Sequence, residues 1–184
     1  MDRAEQELVI LERVSQILGG ALDLNEAFQR AMAVLSERLG VQRASLVLRD
    51  LASDMLRIVA SVGLTPAEQE RGRYALGEGV TGRVMQTGEP AIVPDIRKHP
   101  DFLNRTGSRN LHGADAVADD AGGGGSGGSG GGSGGSGGLA FVCVPVKDGE
   151  QFVGTISVDK PFETREALDA DARLLKIIAG LFAQ

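Results

Sequence analysis

The chain has 184 residues, 42% of them apolar and 24% charged, and a formal net charge of −6. These numbers suit one globular domain with its own core and argue against nucleic-acid binding, where phosphate contacts dominate affinity. Cys143 is the one cysteine, so no internal disulfide can form. No apolar run approaches the length of a membrane span, and the first residues lack the pattern of a signal peptide. The expectation is a cytoplasmic protein without a membrane segment.

Leu8, Leu11, Val14, Ile17 and Leu18 recur at helical spacing, and Gly19-Gly20 ends that helix. Asp23 is placed to cap a second helix that carries Leu24, Phe28, Met32, Leu35 and Leu39 and closes at Gly40. From Val41 to Arg49, Ala44, Leu46 and Leu48 alternate with Arg43, Ser45 and Val47, which predicts a half-buried strand. Asp50 to Asp54 reads as a turn, and Met55 to Val62 as the hairpin partner. Pro66 to Gln69 suggests a short helical turn.

The stretch from Tyr74 to Val93 reads as a glycine turn, a short amphipathic helix, a stop at Gly88 and a strand at Ala91-Ile92-Val93. Pro100 to Asn110 reads as a loop with one helical turn around Phe102. Leu139 to Val146 is strongly β-prone, and Asp148-Gly149 marks a hairpin into Phe152, Gly154, Ile156 and Val158. From about Glu166, Leu168, Ala172, Leu175, Ile178, Ala179 and Phe182 form the apolar stripe of a last helix. The order α-α-β-β-(α)-β-α-β-loop-β-β-α, with hairpins at both ends, predicts an antiparallel sheet of about six strands flanked by helices: an α+β layer fold.

Residues 113–138 interrupt this pattern. Gly113 to Ala121 is small and acidic, and Gly122 to Gly138 holds only glycine and serine. Such a tract is a flexible coil about 22 Å from end to end. The reading is a disordered insertion, natural or an engineered linker, that leaves residues 1–184 one domain, because loop entropy grows slowly with length.

Gly77-x-Gly79-x-x-Gly82 matches the dinucleotide fingerprint in letters only. No buried apolar strand precedes it, and the helix after it is too short for a crossover. Two readings stay open. The glycines bring the backbone close to a ligand, or they pack the helix against the sheet. His99 and His112 are the only histidines and lack the spacing of a metal or nucleophile site. Cys143 sits in an apolar strand, where an inert thiol is the ordinary outcome. No metal, cofactor or catalytic constellation is expected, and the chain is read as not an enzyme.

Tyr74-Ala75-Leu76-Gly77-Glu78-Gly79-Val80-Thr81-Gly82-Arg83-Val84, Gly88-Glu89-Pro90-Ala91-Ile92-Val93-Pro94-Asp95, and Val144-Pro145-Val146-Lys147 with Val153-Gly154-Thr155-Ile156 resemble a GAF domain. With His99-Pro100-Asp101-Phe102-Leu103-Asn104-Arg105-Thr106-Gly107, the chain is similar in particular to the N-terminal regulatory GAF domain of NifA-type nitrogen-fixation activators. The resemblance implies a six-stranded antiparallel sheet with a small-molecule pocket between the sheet and its short helices. It implies a sensor for a sigma-54-type transcriptional activator that answers to 2-oxoglutarate or to NifL or PII-type regulatory proteins. The signature of cyclic-nucleotide GAF domains is missing, the several cysteines of the free methionine sulfoxide reductases are missing, and Cys143 lacks the histidine of a bilin site.

A dicarboxylate effector calls for bidentate cationic donors. Arg83, Arg105 and Arg109 are the candidates, with Thr81 and the backbone at Gly79 and Gly82 in support, and with Tyr74, Ile92, Val93, Phe102 and Cys143 as an apolar wall. The alternative is a GAF module without a ligand, which pairs as a homodimer through its terminal helices.

Overall fold

Helix α1 (Arg3–Gly20) begins where Asp2 and Glu5 cap each other's backbone amides, and it ends as the chain extends at Ala21. The structure, a computed structural model, describes residues 1–109 and 138–184. Helix α2 (Leu24–Leu39) is capped by Asp23 and stopped by Gly40, whose φ of 72° is left-handed. Strands β1 (Arg43–Arg49) and β2 (Leu56–Val62) form the first hairpin. Thr65 opens α3 (Pro66–Arg71), and β3 (Arg73–Tyr74) returns beside β2. Helix α4 (Gly79–Thr87) leads into β4 (Ala91–Val93) and a 3-10 turn at Ile96–Lys98. Strands β5 (Leu139–Asp148) and β6 (Gln151–Pro161) form the second hairpin, and Thr164 caps α5 (Arg165–Phe182).

The six strands lie in the order β3-β2-β1-β6-β5-β4, and every neighbouring pair is antiparallel. Side chains of a strand alternate between faces, and that parity sorts the core. Ala140, Val142, Val144 and Val146 of β5 join Ile156 and Val158 of β6 in the main core under α1, α2 and α5. Phe28, Met32, Leu35, Leu168 and Ile178 come down onto them from the helices. The other parity of β5, Phe141 and Cys143, packs under Val80 and Val84 of α4. Val47, Leu56, Ile58 and Tyr74 meet Met85 beyond it.

The architecture matches the expected α+β layers. Three details differ. Strand β1 is not half-buried: Ser45 and Val47 are covered as well as Ala44 and Leu46, because the α4 layer and its following loop close over that face. The turn expected around Phe102 is a single hydrogen-bonded turn from His99 to Phe102, at 3.2 Å, and the short 3-10 helix lies earlier, where Asp95 accepts the amide of Arg97. Helix α3 runs two residues past Gln69, to Arg71.

The insertion or linker at 113–138, and His112, lie outside the described residues, apart from Gly138. The carbonyl of Gly138 accepts the amide of Phe162 at 3.0 Å and so belongs to the sheet margin. Among the described residues no helix is long and apolar enough to cross a membrane.

Candidate functional site

The sheet register builds the floor of a site on the α4 side. One row across the strands is Phe141, Asp159 and Arg43, and the next is Cys143, Ser157, Ser45 and Ser61. Asp159, Ser157 and Ser45 are buried. Tyr74 and Thr81 wall this floor, and the loop from His99 to Arg109 roofs it with Phe102, Leu103 and Thr106. The roof is tied down. Arg71, at the end of α3, donates twice to the Thr106 carbonyl, at 2.9 and 2.6 Å. Asn104 Nδ2 donates to the Arg109 carbonyl at 2.7 Å, and Leu103 lies against Gly79.

Arg109 comes down from the end of this loop into the site. Its Nε and Nη2 donate to the two oxygens of Asp159 at 2.6 and 2.8 Å, a bidentate pair. The two side chains are 8% and 2% exposed. The guanidinium carbon lies 5.0 Å from the Phe102 ring centre and 5.6 Å from that of Phe141, within cation–π range. Those rings meet edge to face at 5.1 Å. Arg43 adds a second cation, 3.6 Å from Asp159. Beside Arg109 a void of about 20 Å³ remains, room for one water. Burial raises the pKa of the Tyr74 hydroxyl, with nearby Arg109 opposing, so the phenol stays neutral.

The expected site residues divide. Tyr74, Thr81, Phe102 and Arg109 come together around the void. Arg83 turns outward and pairs with Asp101 at 3.0 Å. Arg105 pairs with Glu78, whose other oxygen accepts the Ala75 amide. Neither lines the void, and each is matched by a carboxylate of its own chain. Ile92 packs on the opposite face, against the main core, because its parity in β4 puts it there; its neighbour Val93 faces α4.

The glycines act on the backbone. A Cβ at Gly82 would stand 2.4 Å from the Ala75 carbonyl oxygen. The Gly82 amide is spent on Glu78 and its carbonyl on Gly77. Gly79 has φ 64°, and a Cβ there would stand 2.8 Å from Leu103. Close packing of turn, helix and roof explains both positions.

Cys143 is fully buried under α4, away from the void. Burial pushes its thiol up to about 12, against the smaller opposing pull of the Thr155 and Thr81 hydroxyls. The thiolate, the reactive form, is thereby suppressed. Among the described residues no group of three His, Cys, Asp or Glu side chains could hold a metal.

Asp159 is the residue that sequence reasoning missed. Its signal was parity. Val158 and Ile156 face the core, so Ser157 and Asp159 face the other side, and an acid in a covered strand needs a cation. Phe141, Ser45 and Ser157 were missed for the same reason, because only the covering loop makes that face an interior.

Comparison with known proteins agrees with the geometry. The profile of the GAF domain family matches residues 23–184. The chain is 36% identical over 177 residues to the nitrogen fixation protein VnfA of Azotobacter vinelandii. It is 31% identical over 179 residues to a Nif-specific regulatory protein of Herbaspirillum seropedicae. These matches cover 96% and 97% of the chain but only 30% and 29% of those relatives, so the chain spans about a third of their length.

Among solved structures, the nlh2 GAF domain of A. aeolicus in an inactive state superposes with a TM-score of 0.75 at 23% identity, covering 98% of this chain and 94% of that one. A free methionine-R-sulfoxide reductase from Neisseria meningitidis superposes at 0.69 and 19% identity, covering 100% and 89%. At these identities the structural likeness shows the fold alone. The first of these curated relatives is named a nitrogen fixation protein and the second a Nif-specific regulatory protein. Sheet order, glycine turn, roofed face and family match converge: the chain belongs to the GAF domain family and is similar to the regulatory proteins of nitrogen fixation.

Proposed function

We propose that the chain is the sensory domain of a sigma-54-type transcriptional activator of nitrogen fixation, and that a small effector enters the space between the sheet and the 99–109 roof. One observation carries the reading. Buried Ser45, Ser157 and Asp159 lie under the 99–109 loop, from which the Arg109 side chain reaches down to Asp159. A polar, roofed site closed by a buried ion pair whose cation comes from the covering loop suits a ligand gate. Ligand binding would release Arg109, move the roof and alter the α4 layer.

The effector suggested by the resemblance is 2-oxoglutarate. Arg83, Arg105 and Arg109 are all paired with carboxylates of the chain. A dicarboxylate would have to draw at least one of them away. Calorimetry and thermal shift with 2-oxoglutarate and a metabolite panel test the sensor reading. A saturable heat with a rise in melting temperature is expected. Silence across the panel contradicts it.

A second reading is a ligand-free module that pairs with a copy of itself, or with a NifL or PII-type protein. The nearly filled void supports it, as do Leu8 on α1 and Ile177 on α5, 67% and 52% exposed on adjoining helices. Light scattering over a dilution series checks it, and a monomer throughout counts against the homodimer.

A further inference from the structure

We infer that the effector this pocket takes is a small planar organic cation, of the guanidinium or amidinium class, and that Arg109 is its built-in stand-in. This rests on the pocket being an effector site.

The seat of the Arg109 guanidinium is a complete cation site. Asp159 supplies two parallel acceptors at 2.6 and 2.8 Å. Phe102 and Phe141 supply ring faces at 5.0 and 5.6 Å. Asp159 and Phe141 are held on rigid strands as cross-strand neighbours. The cation is carried by the loop, together with the Phe102 ring. The part held on the sheet is therefore the Asp159 carboxylate and the Phe141 ring, and the part that can leave is the cation on its loop.

Charge balance selects the ligand. With about 20 Å³ free, a ligand enters only by expelling the Arg109 side chain. Once Arg109 has left, Asp159 keeps Arg43 at 3.6 Å, and Arg43 is a quarter exposed. An incoming carboxylate would lie beside Asp159, and two like charges in a buried site repel strongly. An incoming guanidinium restores the pair, the ring contacts and the hydrogen bonds in one exchange. The flat, two-pronged contact favours a guanidinium over a round ammonium. Neutral Ser45, Ser157, Tyr74 and Thr106 then contact the rest of the ligand. A tethered competitor lowers the apparent affinity of the free one, so Arg109 also sets the threshold of response.

The test titrates the wild-type chain and Arg109→Ala with methylguanidinium, methylammonium and 2-oxoglutarate at matched ionic strength, following heat and melting temperature. Methylguanidinium is expected to bind both proteins, at least tenfold tighter to Arg109→Ala, and to restore that variant's lowered melting temperature. Methylammonium should do so less well, and Asp159→Asn added to Arg109→Ala should abolish the effect. If Arg109→Ala does not fold, the wild-type titration decides, with saturable methylguanidinium heat expected. Binding of 2-oxoglutarate to the wild type without methylguanidinium binding overturns the cation assignment and leaves the sensor reading standing. Rescue of Arg109→Ala with the wild type silent also overturns it, making the seat purely structural. Silence of both proteins to all three probes overturns the cation assignment, and silence of the wider metabolite panel then removes the sensor reading as well.

Discussion

Asp159 and Lys160 are neighbours on β6 whose side chains leave the strand on opposite faces, and each is buried in an ion pair. Asp159 holds Arg109 on the pocket side at 2.6 Å, and Lys160 holds Asp171 of α5 on the helix side at 2.6 Å. Arg3 of α1 completes the second cluster, 2.7 Å from Asp171. A single dipeptide thus joins the roof of the pocket to both terminal helices.

Removing the acid should cost more than removing the base. Asp159→Ala leaves Arg109 and Arg43 facing each other without a counter-charge, and the expected loss is about 3–5 kcal/mol. Arg109→Met leaves Asp159 with Arg43 at 3.6 Å, keeps most of the ring contacts, and should cost less. Urea unfolding of the two variants gives the order.

The helix-side cluster should follow the same logic. Asp171→Asn deprives a 4% exposed Lys160 of its carboxylate and should cost about 3–5 kcal/mol. Lys160→Met leaves Asp171 with Arg3 and should cost less. Arg3→Ala removes a half-exposed partner and should cost about 0–1 kcal/mol. An order with Arg3→Ala worst would contradict the account.

Two glycines should respond in opposite directions to alanine. Gly82→Ala drives a methyl to 2.4 Å from the Ala75 carbonyl oxygen, a backbone atom that cannot step aside, and overpacking of this kind costs about 1–3 kcal/mol. Gly180, inside α5, meets nothing within 4 Å of its added Cβ. Gly180→Ala should stabilise by about 0.5–1 kcal/mol. Thermal melts of both variants check the pair.

Cys143 should make the fold sensitive to alkali. Its folded pKa is raised to about 12 from an ordinary 9.0 by complete burial. Above the ordinary value the unfolded chain releases the proton while the folded chain keeps it. The stabilisation is therefore whole below the unfolded pKa and is lost as pH rises towards the folded one. Stability should fall with pH in that window less steeply for Cys143→Ala than for the wild type. Tyr74, raised chiefly by burial and further by Cys143, adds to the same loss of stability in the wild type. In the native protein at neutral pH the thiol should resist thiol reagents until the chain unfolds.

Most of the fold was legible because its signals are local. Asp23 caps a helix; Gly40 and Gly88 stop helices with φ near 72°; Gly149 turns the second hairpin. The site was legible only in part. Of the residues expected there, Tyr74, Thr81, Phe102 and Arg109 line the void. Their partners Asp159, Ser45 and Phe141 lie on distant strands, and no local pattern says that a loop from Pro100 to Arg109 will cover them. Arg83 and Arg105 were drawn to the ligand by charge alone, without weighing Asp101 and Glu78 beside them. Ile92 was misplaced because a three-residue strand shows too little alternation to fix its parity.

The central claim is that effector binding in this domain displaces the Arg109 guanidinium from Asp159. Nuclear magnetic resonance of the Arg109 Nε–H group, assigned by its absence in Arg109→Met, reads that event directly. A buried, paired Nε–H should give a distinct signal that exchanges slowly with water. On titration with a ligand that calorimetry shows to bind, the account predicts that this signal shifts or vanishes in step with saturation. A ligand that saturates the domain while the Arg109 signal stays unchanged would contradict it.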